Sequence, residues 1–322
     1  MLIISLSILV AFFIALIVSK WQIDTFSEAG LIGKDMHKDG APEIPEMGGL
    51  AAIVGFIVGI SLLLGRGEEN INNAVFLTAI IGIIGAGFIG MVDDMVKIRQ
   101  RTKAMLPYLF TLPFGIQMMG ESFSIFGIHF DVGWVILLIV PFGVTCAANA
   151  SNMLEGFNGL GAGLSFIIAT TLIILIYMGN GDSSNYGLYI LYPLLGATLG
   201  FSVFNLYPSR IFPGDTFTLF SGAAIGCAAI ISDLITPGII LFIPMITEFF
   251  LKFRGGFKAE NFSNVNEEGY LKSTHDKTES ITHWIVKHMN VKEWHLVAIV
   301  WAIEGVLALL IIILFGFFNF SF

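Results

Sequence analysis

Two adjacent aspartates, Asp93 and Asp94, close a nearly pure apolar run, and Lys97, Arg99, Arg101 and Lys103 follow them. An unpaired carboxylate at that depth costs a few kcal/mol on insertion scales. Pairing with Lys97 and Arg101, one and two turns on, accounts for part of the pattern. It leaves out Lys103, which a straight helix would aim at another side, so the chain must bend if Lys103 is to join the acids. A second polar segment, NASNMLEGFNGL (149–160), puts Asn149 and Asn152 on one helix face, and Gly156 permits a turn that presents Asn158. Asparagine carbonyls are neutral ligands for a hard cation and the amide N–H groups can hold a sugar or a base; helix capping is the ordinary alternative. A third, FNLYPSRIFPGDTFTLF (204–220), sets Asp215 at the head of an apolar run, where it could be an N-cap. There Pro213 and Gly214 tighten the entry, Arg210 adds a phosphate-capable fork, and Phe212 offers a ring for stacking a base.

Asp93, Asp94, Asn152 and Asp215 thus supply oxygen ligands from three segments, and Lys103, Arg210 and Arg254 supply cations. Acids beside bases, with no zinc-type His or Cys set, fit Mg²⁺ plus phosphate, because magnesium takes one or two protein carboxylates and leaves the rest to substrate phosphates. Phosphoryl transfer asks for little beyond positioning and charge stabilisation. Two other phosphate signatures are excluded. GLIGKD (30–35) lacks P-loop spacing, and a DDxxD motif fails because its fifth position is Lys97.

The elements that must position these groups are membrane helices. Apolar residues make up 56% of the 322 and charged ones 12%, and mean hydropathy is +0.85, far from a soluble domain. A bilayer core asks for about 20 apolar residues per helix, and barrel strands would show polar alternation that is absent here. The apolar runs predict ten transmembrane helices, at 2–19, 47–65, 72–91, 105–119, 133–149, 159–178, 187–205, 215–231, 235–251 and 294–318. The expected fold is an all-α integral membrane protein, one polytopic domain over 1–322, with the longest polar segment, 252–293, as a cytoplasmic substrate loop within it. Alternating the sides puts 15 of the 16 Lys and Arg on one face and Arg66 on the other. By the positive-inside rule the crowded face is cytoplasmic, both termini lie outside, and the active site sits at the cytoplasmic face. The first run has no basic leader or small-residue cleavage site and reads as a retained helix. SFSIFGIHFDVG (122–133) suggests a small outer hairpin around Gly127. A net charge of −8 argues against nucleic acid, and Cys146 and Cys227, both within spans, imply neither a disulfide nor a metal site.

These motifs resemble the polyprenyl-phosphate N-acetylhexosamine-1-phosphate transferases (glycosyltransferase family 4), and the likeness runs in order from residue 33 to 220. GKDMHK (33–38) with IPEMGGL (44–50) is similar to the first cytoplasmic motif, with Glu46 where the dolichol-type enzymes have Glu. FIGMVDDMVKIRQRTKAMLP (88–107) resembles the family's DD-x8-K-x3-P segment, which implies a phosphate contact for Lys103 and catalytic places for Asp93 and Asp94. NASNMLEGFNGL resembles NAxNxxxGxNGL, implying a metal ligand at Asn152, a nucleotide contact at Asn158 and a substrate place for Asn149; FNLYPSRIFPGDTF implies a uracil-stacking Phe212 and a metal-binding Asp215. The last loop departs from the family: it lacks the adjacent histidines of the phospho-muramoyl-pentapeptide enzymes, and KFRGGFK (252–258) is only loosely like the Arg-rich eukaryotic stretch, which leaves Arg254 as the sugar or pyrophosphate contact and His275 and His283 as further candidates. Glu155 departs too, and its role stays open.

The resemblance implies transfer of GlcNAc-1-phosphate from UDP-GlcNAc to a polyprenyl phosphate of the dolichyl type, releasing UMP, as the first step of lipid-linked glycan assembly. Mg²⁺, or Mn²⁺ in its place, would be the cofactor, membrane lipids the surroundings, and a homodimer one form of assembly. An archaeal plasma membrane fits better than the endoplasmic reticulum. A phospho-muramoyl-pentapeptide or other UDP-sugar transferase is the alternative within the family. A membrane transporter would instead predict mid-span ionisable residues or broken helices in two matching halves; span interiors lack charge apart from Glu248 and Glu304, read here as lying near ends, and no half repeats the other. A scaffold without catalysis leaves the three-segment set unexplained.

Overall fold

The computed structural model describes residues 2–38, 40–65, 73–179, 185–257, 261–274 and 277–318. Each of the ten apolar runs is helical: α1 (Leu2–Glu28), α2 (Gly49–Leu64), α3 (Asn73–Val96), α4 (Gln100–Gln117), α5 (Ile136–Leu154), α6 (Leu160–Met178), α7 (Tyr186–Asn205), α8 (Gly214–Ile231), the pair α9 (Ile235–Leu241) and α10 (Ile243–Arg254), and, after a short α11 (Ile281–His288), α12 (Glu293–Phe318). Seven have the length and apolar character to cross a membrane, and α9 with α10 meets the same test as one path bent by 58°. The chain is therefore an integral, multi-pass α-helical membrane protein. The straight ninth span expected at 235–251 is corrected to this broken pair, which turns at Phe242. Glu304 is also corrected: it lies near the middle of α12 and is fully buried.

α7 and α8 form the centre. α8 packs on α3, α5, α7 and α2, while α1 runs along α2 and α7, and α12 along α6. Lipid tails give no hydrophobic drive between helices, so close backbone approach has to hold them together. Side chains at Gly196 or Gly200 of α7 would land on the carbonyl oxygens of Ile8 and Phe12 in α1. Large rings, Phe56, Phe201, Phe217 and Phe220 among them, fill the space between α2, α7 and α8.

Among the described residues three two-stranded hairpins interrupt the helices. The one foreseen pairs β3 (Phe123–Ile125) with β4 (Ile128–Phe130) and turns through Gly127 at φ +75°. The other two, β1 (Ile32–Lys34) with β2 (Glu43–Pro45) and β5 (Ser263–Val265) with β6 (Leu271–Ser273), lie at the opposite end of the bundle among the polar segments. All six strands are three residues long, and only β3–β4 is closed by a two-residue turn at a glycine, Phe126–Gly127; the other two pairs are joined by longer segments, which lack that two-residue signal.

Candidate active site

The chain does bend after the two aspartates. α3 ends at Val96, Lys97 takes φ +49°, and α4 starts at Gln100 with Lys103 in its first turn. Lys103 is buried, donates to Asp93 Oδ2 at 2.8 Å, and also bonds Asp215 Oδ2. The second oxygen of Asp93 accepts the Ile98 N–H at 2.6 Å, which pins the turn that reverses the chain. Lys97, Arg99 and Arg101 are exposed, and among the described residues the cation paired with the acids is Lys103. Contact between α3 and α8 depends on Gly90, where a Cβ would fall on the Asp215 carbonyl oxygen, inside van der Waals contact.

Asp94 is placed differently from Asp93. Its Oδ1 accepts the Asp215 N–H at 2.8 Å, and its Oδ2 accepts the Thr216 N–H at 3.1 Å and the Thr216 hydroxyl at 2.6 Å. A carboxylate from α3 thus satisfies the orphan donors that open α8, where a negative charge is also favoured. Both Asp94 oxygens are thus committed to the first turn of α8. Capping by Asp94 frees the Asp215 side chain from the N-cap role open to it in sequence. Its Oδ1 instead accepts from Asn152 Nδ2 at 2.7 Å, and the same nitrogen reaches Thr218 Oγ1 at 2.9 Å. Gly214, at φ +65° beside the Asp94 carboxylate, makes that entry possible.

The segment carrying Phe212 is laced to the first loop. Phe212 N–H donates to Pro45 O at 2.8 Å, and the Gly48 and Gly49 N–H groups that open α2 donate to Phe212 O and Pro213 O. The Phe212 ring is left half-buried at this seam. Glu46 lies over Gly33, and burial raises its pKa while Lys97 opposes the rise. The other predicted residues are more distant from the Lys103 cluster in their bonding. Asn149 donates to Ala104 O at 3.0 Å and Thr145 O at 2.9 Å, which ties α5 to α4. Arg254 is exposed at the end of α10 and donates to Thr278 O at 2.6 Å. His283 is buried in α11, and His275 falls outside the described residues. Glu155 folds back beside Gly161 at the N-terminus of α6, and burial lifts its pKa to about 7.

A second buried cluster was not foreseen. Asp35, His37 and Glu293 bring ligand-type atoms within 4.8 Å of one another. The cation already there is Lys38, bonded to Asp35 Oδ2 and 3.8 Å from Glu293 Oε2. His37 Nε2 accepts the Ser263 N–H at 3.3 Å, so the neutral ring carries its proton on Nδ1, the nitrogen facing Glu293, and offers the carboxylates no lone pair. Burial holds its pKa down at about 4. The signal in sequence was the GKDMHK run; nothing local connects it to Glu293.

The donors around Asp215 suit a hard divalent cation. A carboxylate and a carboxamide from two helix ends meet there, and Lys103 stands on the far carboxylate oxygen. Oxygen ligands beside an ammonium suit a phosphate-bound ion better than a site closed by protein alone.

Residues 76–233, which carry Asp93, Asp94, Lys103, Asn149, Asn152, Asn158, Phe212 and Asp215, match the family described as Glycosyl transferase family 4. A Saccharolobus solfataricus protein, provisionally named UDP-N-acetylglucosamine–dolichyl-phosphate N-acetylglucosaminephosphotransferase, is 37% identical over 315 residues, 96% of each chain. A Sulfolobus acidocaldarius protein with the same provisional name is 35% identical over 96% of this chain and 95% of its own. The phospho-N-acetylmuramoyl-pentapeptide-transferase of Oceanobacillus iheyensis is 27% identical over 95% of each.

Proposed function

This chain belongs to glycosyl transferase family 4, and from that premise we propose that it transfers GlcNAc-1-phosphate from UDP-GlcNAc to dolichyl phosphate and releases UMP. The observation that carries the reading is the Lys103 ammonium held between Asp93 and Asp215, with Asn152 on the other oxygen of Asp215. An oxygen of the lipid phosphate forms a bond to the sugar-bearing phosphorus as the bond to UMP breaks. Asn152 and Asp215 would hold Mg²⁺ or Mn²⁺, whose part is to offset pyrophosphate charge. Lys103 moves between its two carboxylates and the phosphates, balancing charge as the leaving group departs. Asp93 orients the acceptor phosphate. Its second pKa of about 6 leaves that phosphate largely ionised, so a general base adds little.

In this reading Phe212 stacks the base at the seam of the first loop and the 206–213 segment. Asn158 and Glu46 border the nucleotide, Arg254 reaches the sugar or pyrophosphate, and Asn149 and Asp94 hold their neighbours in place. The higher identity to the two archaeal proteins favours a dolichyl acceptor over the muramoyl-pentapeptide alternative, as does the lack of adjacent histidines after residue 252. We place ten spans in an archaeal plasma membrane, counting α9 and α10 as one, with both termini outside and the Lys103 end in the cytoplasm.

Detergent-purified protein given UDP-GlcNAc, dolichyl phosphate and Mg²⁺ should release UMP, and Asp215→Ala should abolish release while the protein stays folded. No UMP from any UDP-sugar across polyprenyl acceptors would sink the enzyme reading.

A further inference from the structure

Asn158 is held by two carboxylates from opposite ends of the chain. Its backbone N–H donates to Glu293 Oε1 at 2.9 Å, and its side-chain Nδ2 donates to Asp35 Oδ2 at 3.1 Å. An ionised carboxylate only accepts, and Asp35 is ion-paired with Lys38, which also stands 3.8 Å from Glu293 Oε2; burial raises the Glu293 pKa to about 7 against that charge. The carboxamide therefore cannot turn over: its NH₂ is committed to Asp35 and its oxygen faces away. Among the described residues no group donates to that oxygen. The ring of the preceding Phe157 is clamped by His37, stacked at 4.3 Å and 12°, and His37 is fixed in turn by Ser263. The turn lies beside the segment leading to Phe212, since Gly159 packs on Leu206 and Lys38 stands 5.0 Å over the Tyr207 ring.

A fixed acceptor oxygen beside a base-stacking ring selects a base edge that donates. Uracil presents an N–H at N3, whereas cytosine presents a lone pair there. We propose that Asp35 and Glu293 are positioning residues that lock the Asn158 carboxamide with its oxygen toward the donor nucleotide, and that this lock sets the preference for uracil over cytosine. The inference rests on the reading of the donor as a uridine nucleotide. It gives the first loop and the start of α12 a part in substrate choice, although neither supplies the selecting atom.

The test is equilibrium binding of UMP and CMP to full-length purified protein with Mg²⁺, together with the thermal midpoint of each variant. Wild type should bind UMP at least about tenfold tighter than CMP, the worth of one well-placed hydrogen bond. Asp35→Ala, which frees the amide to rotate, should bring the two within about threefold. Asp35→Asn, which keeps an acceptor oxygen, should fall between, and Glu293→Gln should have a smaller effect for the same reason. If Asp35→Ala weakens both nucleotides equally and keeps the wild-type ratio, Asp35 is merely structural and the inference fails. Should that variant not fold, Asp35→Leu, which also removes the acceptor, replaces it, and an unchanged ratio there is equally decisive against the inference. A wild type that turns over UDP-GlcNAc yet binds CMP as tightly as UMP overturns this inference alone. One that binds neither and releases no UMP overturns the functional reading instead.

Discussion

Lys103 neutralises two carboxylates that would otherwise face each other at the end of α3 and the start of α8. Lys103→Met should cut UMP release by at least about 100-fold, the usual loss when one preorganised donor is removed. Asp93 and Asp94 should separate in their effects, because only Asp94 has both oxygens committed to backbone and hydroxyl donors of α8. Asp94→Ala should lower stability by about 2 kcal/mol, since hydrogen bonds to a charged group are lost, visible as a drop in thermal midpoint alongside lower activity. Asp93→Asn should lower activity with a smaller change in midpoint. His37 makes a pH prediction. Its folded pKa of about 4 lies below the 6.5 of an ordinary imidazole, so the unfolded chain takes up the proton first as pH falls. The stability it contributes is present above pH 6.5 and is lost as pH falls toward 4, up to roughly 3 kcal/mol at about 1.4 kcal/mol per pH unit. Thermal midpoints at pH 7 and pH 4.5 should therefore diverge more for wild type than for His37→Gln.

The site exists at the scale of elements because α3 and α8 touch at Gly90. A side chain there meets the backbone of Asp215 and Thr216, which cannot yield as a flexible side chain could. Gly90→Leu should push the two helices apart, lower the thermal midpoint and abolish turnover, whereas Gly143→Ala, with open space around it in α5, should leave activity near wild type. The two variants distinguish a packing requirement from a general sensitivity of helix glycines. Apolar runs were enough to find the helices, since a bilayer demands long runs and few charges, but run length gives no bend angle; Pro244, at the first turn of α10, is the local mark of the 58° break at Phe242. The hairpins divided in the same way. β3–β4 could be read from alternation around Gly127, while β1–β2 and β5–β6 are held by pairing to distant segments such as Ser263 to His37.

Viewed as a whole, the molecule gathers its polar segments at one end of a bundle built on α7 and α8. The first loop bonds the 206–213 segment, the 155–159 turn bonds both Asp35 and Glu293, and Lys252 donates to Met153 O at 2.5 Å. The orientation of that end belongs to the charge distribution. Single cysteines introduced at Lys272 and at His129, in protein lacking Cys146 and Cys227, should label from opposite sides of sealed vesicles, Lys272 from the cytoplasmic one. Labelling of both from the same side would overturn the ten-span reading.

Composition and run length by themselves determined that this is a multi-pass helical membrane protein, because backbone polar groups in a bilayer leave helices as the solution for such sequences. The motifs also marked Asp93, Lys103, Asn152 and Asp215, since carboxylates, amides and a lysine in an apolar chain require partners. Tertiary structure decided how those residues divide the work. Asp94 caps α8 instead of standing beside Lys103, Asn149 ties α5 to α4, and Glu293, 135 residues from Asn158, fixes the backbone of the turn that carries it. Those assignments depend on which helix ends meet, and spacing along the chain holds no information about contacts made across the bundle.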